Sequence, residues 1–256
     1  MERVATQTSS SHVARVGIPG LGATERVDRW WVGPLFSGLG LIVFVAYSTW
    51  AILAGTNFRW GPYISPFYSP YFGVPGVSAA ILVAWIPGLF RLSCYYYRKA
   101  YYRALVLSPP ACAVSEPRRS YTGEDRAPLA WLSIMHRWFL YLSIVVLCFL
   151  WIDVVRSFDF DGRFGIGLGS LIMLANVILL TGFTFGCHAL RSLVGGNLRC
   201  FSCAAFGEAR YRMWRGVTFF NQQHMRWAWV SLFSVAFTDL YIRLCAAGII
   251  VDPRFL

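Results

Sequence analysis

The residues able to carry metal or redox chemistry are four histidines and seven cysteines in a chain of 256. Cys94 and Cys112 bracket RLSCYYYRKAYYRALVLSPPAC, residues 91–112, which holds five tyrosines and four basic residues. His136 follows, then Cys187 and His188 as neighbours, a CxxC at Cys200 and Cys203, and His224. Thiolates and neutral imidazoles are the donors that iron–sulfur centres and zinc select. Two of each within mutual reach form a recognised ligand set, whereas any one alone is more often a packing or hydrogen-bonding residue. No HExxH run and no nucleophile–base motif accompanies them, so a self-contained hydrolase is not indicated.

The elements that must position these side chains are membrane helices. The chain is 57% hydrophobic and only 14% charged, with a positive mean hydropathy. A soluble domain of this size needs a more polar surface, so the surplus apolar area is expected to face lipid. Spanning the hydrocarbon takes about 20 helical residues, and five apolar runs reach that length, near residues 34–53, 73–92, 129–154, 165–190 and 225–250. The expected architecture is an all-α integral membrane bundle of five transmembrane helices. A tail, residues 1–33, precedes a membrane domain, residues 34–256, with basic loops near 93–128 and 191–224. The tail is too long and acidic for a cleaved signal peptide and is read as mature sequence.

Eighteen of the 23 basic residues fall in the tail, the two long loops and the start of the third helix. The positive-inside rule then makes the N-terminus cytoplasmic and the C-terminus external in a multi-pass protein of the cytoplasmic membrane. On this topology three of the four histidines and five of the seven cysteines gather near the cytoplasmic face, while Cys148 and Cys245 read as apolar filler. That compartment is reducing, so structural disulfides are not expected there. The net charge of +11 suits juxtamembrane anchoring and acidic protein partners, and no nucleic-acid motif is present. Asp239 and Arg243 stand at i,i+4 spacing inside the fifth helix and are expected to pair. Asn176 is expected to hydrogen-bond across the bundle. GIGLGS, residues 165–170, has no strand before it and reads as a close-packing segment, not a dinucleotide fingerprint.

RLSCYYYRKAYYRALVLSPPACAVSE, MHRWFLYLS, GCHALRSLVGG and NQQHMRWAWVSLFSVAFTDLYIRL together resemble the succinate dehydrogenase membrane anchors of mycobacteria and related bacteria, from about Trp30 onward. The resemblance implies a subunit of succinate:quinone oxidoreductase, respiratory complex II, not catalytic alone. Its implied partners are a flavoprotein subunit, an iron–sulfur subunit, membrane lipid and quinone, and a higher oligomer of the complex is allowed. It further implies a Rieske-type [2Fe–2S] cluster embedded in the membrane, with two cysteine and two histidine ligands. The first assignment is Cys94 and Cys112 with His136 and His188, because helix depth aligns three of them and the turn at Ser108–Pro110 could fold Cys112 back. Cys200, Cys203 and His224 stand as alternative ligands, and a bis-histidine haem b as the alternative cofactor, which would leave the thiols without a role. Trp31 and Arg98 are the candidate quinone-binding residues, an aromatic wall and a hydrogen-bond donor. The competing class is a stand-alone metal-binding polytopic membrane protein, either a zinc enzyme or a transporter.

Overall fold

A computed structural model describes residues 20–74, 76–115, 129–196, 198 and 200–256. Nearly all of the regular structure is helical. Among the described residues four helices are long and apolar enough to cross a membrane: α1 (Val32–Ala54), α5 (Leu129–Arg156), α6 (Leu168–Phe185) and α9 (His224–Ala246). α1 leaves Phe36, Val43, Val45 and Leu53 exposed, as a helix bordering lipid would. It stops at Gly55, whose left-handed φ of 64° closes its last turn.

The apolar run expected as a continuous second span is instead a chain of short helices, α2 (Ala79–Val83), α3 (Trp85–Ser93) and α4 (Tyr95–Tyr101). Pro87 explains the first interruption. It has no N–H to return to Val83, and its ring crowds that carbonyl. The ladder nevertheless runs on through Ala84 N–H to Ala80 C=O and Gly88 N–H to Ala84 C=O, so α2 and α3 form one bent rod. The second interruption is sharper, because Cys94 adopts an extended ψ of 134°.

Two further helices occupy the connection before α9. α7 (His188–Gly195) ends at Gly196 in the left-handed region, and α8 (Gly207–Gln222) is a basic amphipathic helix in a stretch expected only as a loop. Hydropathy conceals α8 because its glutamate and arginines, good helix formers, mask its apolar residues.

α6 packs on α9, α3 on α5, and α5 on α6, giving a core in two halves. One half is capped by residues 55–78, where strands β1 (Arg59–Trp60) and β2 (Tyr63–Ile64) form a short antiparallel hairpin. It buries Tyr63, Ile64, Phe67 and Tyr68 against α6 and α9 residues. A second hairpin, β3 (Asp159–Phe160) and β4 (Arg163–Phe164), joins α5 to α6. The glycine segment does pack closely. A Cβ on Gly169 would stand 2.3 Å from the Tyr63 ring, and one on Gly167 would stand 2.1 Å from its hydroxyl.

This half also holds the buried ion pair: Arg243 Nε donates to Asp239 Oδ2 at 2.7 Å, and Tyr47 Oη donates to the same oxygen at 2.6 Å. Ser65 Oγ donates to Asp239 Oδ1. Ser234 Oγ reaches Asn176 Oδ1 at 2.9 Å across the α6–α9 seam. The other half of the core contains Phe90, Cys94, Tyr97, Phe139, Leu140, Phe183, Cys187, Ala228 and Leu232, and there the chemistry-bearing residues meet.

Candidate metal centre

Three helix interruptions lie at one level of this second half, and each delivers a donor. The α3–α4 break presents Cys94, the α6–α7 break presents Cys187, and the α8–α9 break presents His224. The fourth donor, His136, comes from uninterrupted α5. Cys94 and Cys187 share one backbone conformation, φ −65°, ψ 134° and φ −66°, ψ 136°, and each is the N-cap of the helix that follows it. At that position a side-chain acceptor meets free backbone N–H groups. Cys187 Sγ accepts from Ala189 N at 3.3 Å, whereas Cys94 caps α4 without a side-chain hydrogen bond to its N–H groups. A metal binds the thiolate form, and a helix N-terminus is a position where backbone N–H groups can face that negative charge.

The four donors form two contacts. His136 Nε2 lies 3.1 Å from Cys187 Sγ, and His224 Nε2 lies 3.6 Å from Cys94 Sγ. Cys94, Cys187 and His224 are 2%, 0% and 1% exposed, so the group is walled from solvent. Phe90 stacks on His136 at 4.7 Å and Phe183 on His224 at 5.0 Å between ring centroids, which fixes both imidazole planes. Ser93 Oγ touches His136 Nδ1 at 2.9 Å, the outer-shell contact that sets a ligand's tautomer. His224 Nδ1 is buried with no hydrogen-bond partner. Gly186 lets it approach, since a Cβ there would come within 3.1 Å of that nitrogen, and Asn221 Nδ2 ties α8 to the Gly186 carbonyl at 2.7 Å.

Among the described residues no three His, Cys, Asp or Glu side chains converge on a point as they would around a single ion. The donors stand as two Cys–His pairs. As a donor set, two buried thiols with one buried and one half-buried imidazole fit the ligands of a Rieske-type [2Fe–2S] centre.

The residues expected from sequence are thus partly gathered. Cys94, His136 and His224 belong to the group. His188 lies beside it, on the exposed side, with its ring 6.1 Å from His224 and stacked on Tyr96 at 5.7 Å. Cys112 is exposed and lies outside the group, in a cleft of about 370 Å³ lined also by Arg26, Trp30, Tyr96, Lys99 and Arg103. Arg26 holds that loop by donating to the Cys112 carbonyl at 2.9 Å, and its hydrogen bond to Asp28 holds that carboxyl below the usual carboxylate range.

Cys200 and Cys203 are joined in a disulfide, with Cα atoms 5.4 Å apart. This corrects the expectation of free thiols there: two intervening residues bring the pair within bridging distance, and neither sulfur remains as a donor. Trp31 is half exposed and does not line the cleft, where Trp30 stands instead. Arg98 is buried, its guanidinium 6.0 Å from the Tyr95 ring. The donor that sequence reasoning passed over is Cys187. One signal marks it: like Cys94 it follows a small residue, Gly186 or Ser93, and precedes a ring, His188 or Tyr95, at the foot of an apolar run.

Next to the group lies an apolar cavity of about 170 Å³. Phe90, Arg91 and Phe183 wall it beside the imidazoles, and Ser143, Phe44 and Val235 line it elsewhere.

Residues 32–248 match the family model described as actinobacterial succinate dehydrogenase subunit SdhC. The chain is also similar to a chain of a solved structure, the Mycobacterium smegmatis Sdh1 complex in the apo form. The two are 40% identical with a TM-score of 0.82, over 91% of this chain and 94% of that one. No curated protein matches it.

Proposed function

The chain belongs to the actinobacterial succinate dehydrogenase subunit SdhC family, a membrane subunit of an oxidoreductase complex, and from that premise we propose that it passes electrons from an iron–sulfur subunit to a membrane quinone. The observation that carries this reading is the meeting of Cys94, Cys187, His136 and His224 at three helix interruptions and one continuous helix. A Rieske-type [2Fe–2S] cluster, when bound, supplies a one-electron carrier whose imidazole ligands raise its potential above that of an all-cysteine centre. Every other contribution is the chain's own. Cys94 and Cys187 each sit at a helix N-terminus, with Ala189 N donating to Cys187 Sγ, Phe90 and Phe183 hold the rings, and Ser93 fixes the His136 tautomer. Haem b would use imidazoles alone and leave two buried thiols idle, so the cluster is the better fit.

The quinone ring would occupy the apolar cavity behind Phe90 and Phe183, within one side chain of both imidazoles, with Arg91 and Ser143 as polar groups in its wall. Arg98, buried on the other side of Cys94, contributes charge to the same edge, and Trp31 is left to anchor the membrane interface. In this reading α2–α4 form the fifth crossing and the basic connections face the cytoplasm. There α8 and the loop after α4 would dock the flavoprotein and iron–sulfur subunits through acidic patches on those partners.

The test is electron paramagnetic resonance of the dithionite-reduced complex beside its optical spectrum. A Rieske-type signal without a haem Soret band is expected, abolished by Cys187→Ser and by His224→Ala and retained in Cys112→Ser. A signal that survives Cys187→Ser but not Cys112→Ser overturns this ligand set. A Soret band without the signal overturns the cluster.

A further inference from the structure

Arg91 is 9% exposed inside the apolar half of the bundle that holds the metal-centre residues. Its partners are all neutral. Nη1 donates to the Tyr97 hydroxyl and to the Ala228 carbonyl at 3.1 Å, and Nη2 donates to Ser231 Oγ at 2.9 Å. Among the described residues no carboxylate pairs with it. Arg243, a buried arginine on α9, is by contrast neutralised by Asp239 at 2.7 Å. An uncompensated cation in a membrane interior is costly, and chains that keep one use it.

Its position indicates the use. Arg91 lies three residues before Cys94, with its guanidinium carbon 4.5 Å from the centroid of Phe183, the ring stacked on His224 at 5.0 Å. The preceding residue, Phe90, is the ring stacked on His136. The guanidinium is therefore one aromatic ring from His224 and, through the Phe183–Phe90 contact at 5.4 Å, two rings from His136; it is held by three hydrogen bonds and unable to ligate metal.

We infer that Arg91 is the fixed counter-charge for the electron held at the Cys94–Cys187–His136–His224 centre, a positioning residue that raises the centre's reduction potential through space. The inference rests on the functional reading above. The step it governs is balanced. One electron arrives from the reduced iron–sulfur donor of the soluble subunits, no bond or proton is exchanged, and the centre becomes more negative by one charge until the electron leaves to quinone. A positive charge fixed nearby in a low dielectric stabilises the reduced state relative to the oxidised one.

The experiment is a redox titration of the intact complex, followed by the paramagnetic signal, for the wild type, Arg91→Lys and Arg91→Gln. The expected result is a signal in all three, with the midpoint potential lowered in Arg91→Gln and close to wild type in Arg91→Lys. An Arg91→Gln midpoint equal to wild type with full signal overturns the inference and makes Arg91 a pin between α3 and α9. Should Arg91→Gln fail to assemble, Ser231→Asp sets a carboxylate against the intact guanidinium and must lower the midpoint in the same direction; an unshifted value there overturns the inference equally. Absence of any cluster signal in the wild type is a separate outcome, which removes the functional reading itself.

Discussion

Replacing Asp239 tests whether the half of the bundle remote from the metal centre is held by a buried charge network. Asp239 is fully buried and accepts from Arg243, Tyr47 and Ser65. Arg243 also donates to the carbonyls of Thr56 and Ala51, each at 2.7 Å, which pins the start of the 55–78 cap to α9. In Asp239→Leu the guanidinium is stranded, a loss of about 3–5 kcal/mol. Two hydroxyls also lose an acceptor, at roughly 1 kcal/mol each where they can turn to another partner. Because Arg243 keeps its two carbonyls, the low end applies, and the single variant should lose about 5 kcal/mol in all. Adding Arg243→Met removes the stranded charge but not the orphaned hydroxyls, so the double variant should lose only about 2–3 kcal/mol. The assay is thermal unfolding of the purified complex in one detergent, for wild type, both single variants and the double. The double variant should melt above Asp239→Leu. If it melts lower, the charge is not what Asp239 compensates, and the reasoning fails. Quinone reduction per assembled complex should match wild type in Asp239→Asn, because the network is structural. A fall in turnover without a fall in melting temperature would instead place Asp239 on a proton path.

Ser93→Ala removes the group that orients His136, so cluster affinity should fall about 10–100-fold, read as lost paramagnetic signal under iron limitation with the helical circular dichroism unchanged. Gly169→Ala forces a methyl group into the Tyr63 ring and should cost about 1–3 kcal/mol. Gly216→Ala in α8 meets nothing within 4 Å and should be neutral or stabilising by roughly 0.5–1 kcal/mol, both read as melting shifts. Arg26→Ala removes one of the links from residues 20–31 to the 111–115 loop, which the Gly22, Ala23 and Thr24 hydrogen bonds also hold, and limited proteolysis should cut that segment sooner. The melting temperature should hardly move, because the Arg26–Asp28 pair is exposed and screened by solvent.

Much of the fold follows from one-dimensional physics. α1, α5 and α9 lie within a few residues of the apolar runs, because a helix in lipid must satisfy its own backbone and is therefore written as continuous hydropathy. The Asp239–Arg243 pair and the Gly165–Ser170 packing segment were also legible, since i,i+4 spacing and glycine clustering are local. The second span was misjudged in form, because hydropathy averages over Pro87 and the extended Cys94. α8 was missed because its amphipathic pattern is polar on average.

For the candidate centre, the sequence by itself determined which donor types are available and that most of them gather toward one end of the bundle. Helix length fixes depth, so Cys94, His136, Cys187, His188 and His224 had to lie near a common level. Depth does not fix azimuth. Which of these side chains turn inward depends on the backbone breaks at Cys94, Gly186–Cys187 and Gln223–His224 and on how α3, α5, α6 and α9 pack. Those contacts are long-range. Tertiary structure therefore put Cys187 in the place expected of Cys112, turned His224 inward and left His188 at the rim, joined Cys200 to Cys203, and set an unpaired arginine one ring behind the site.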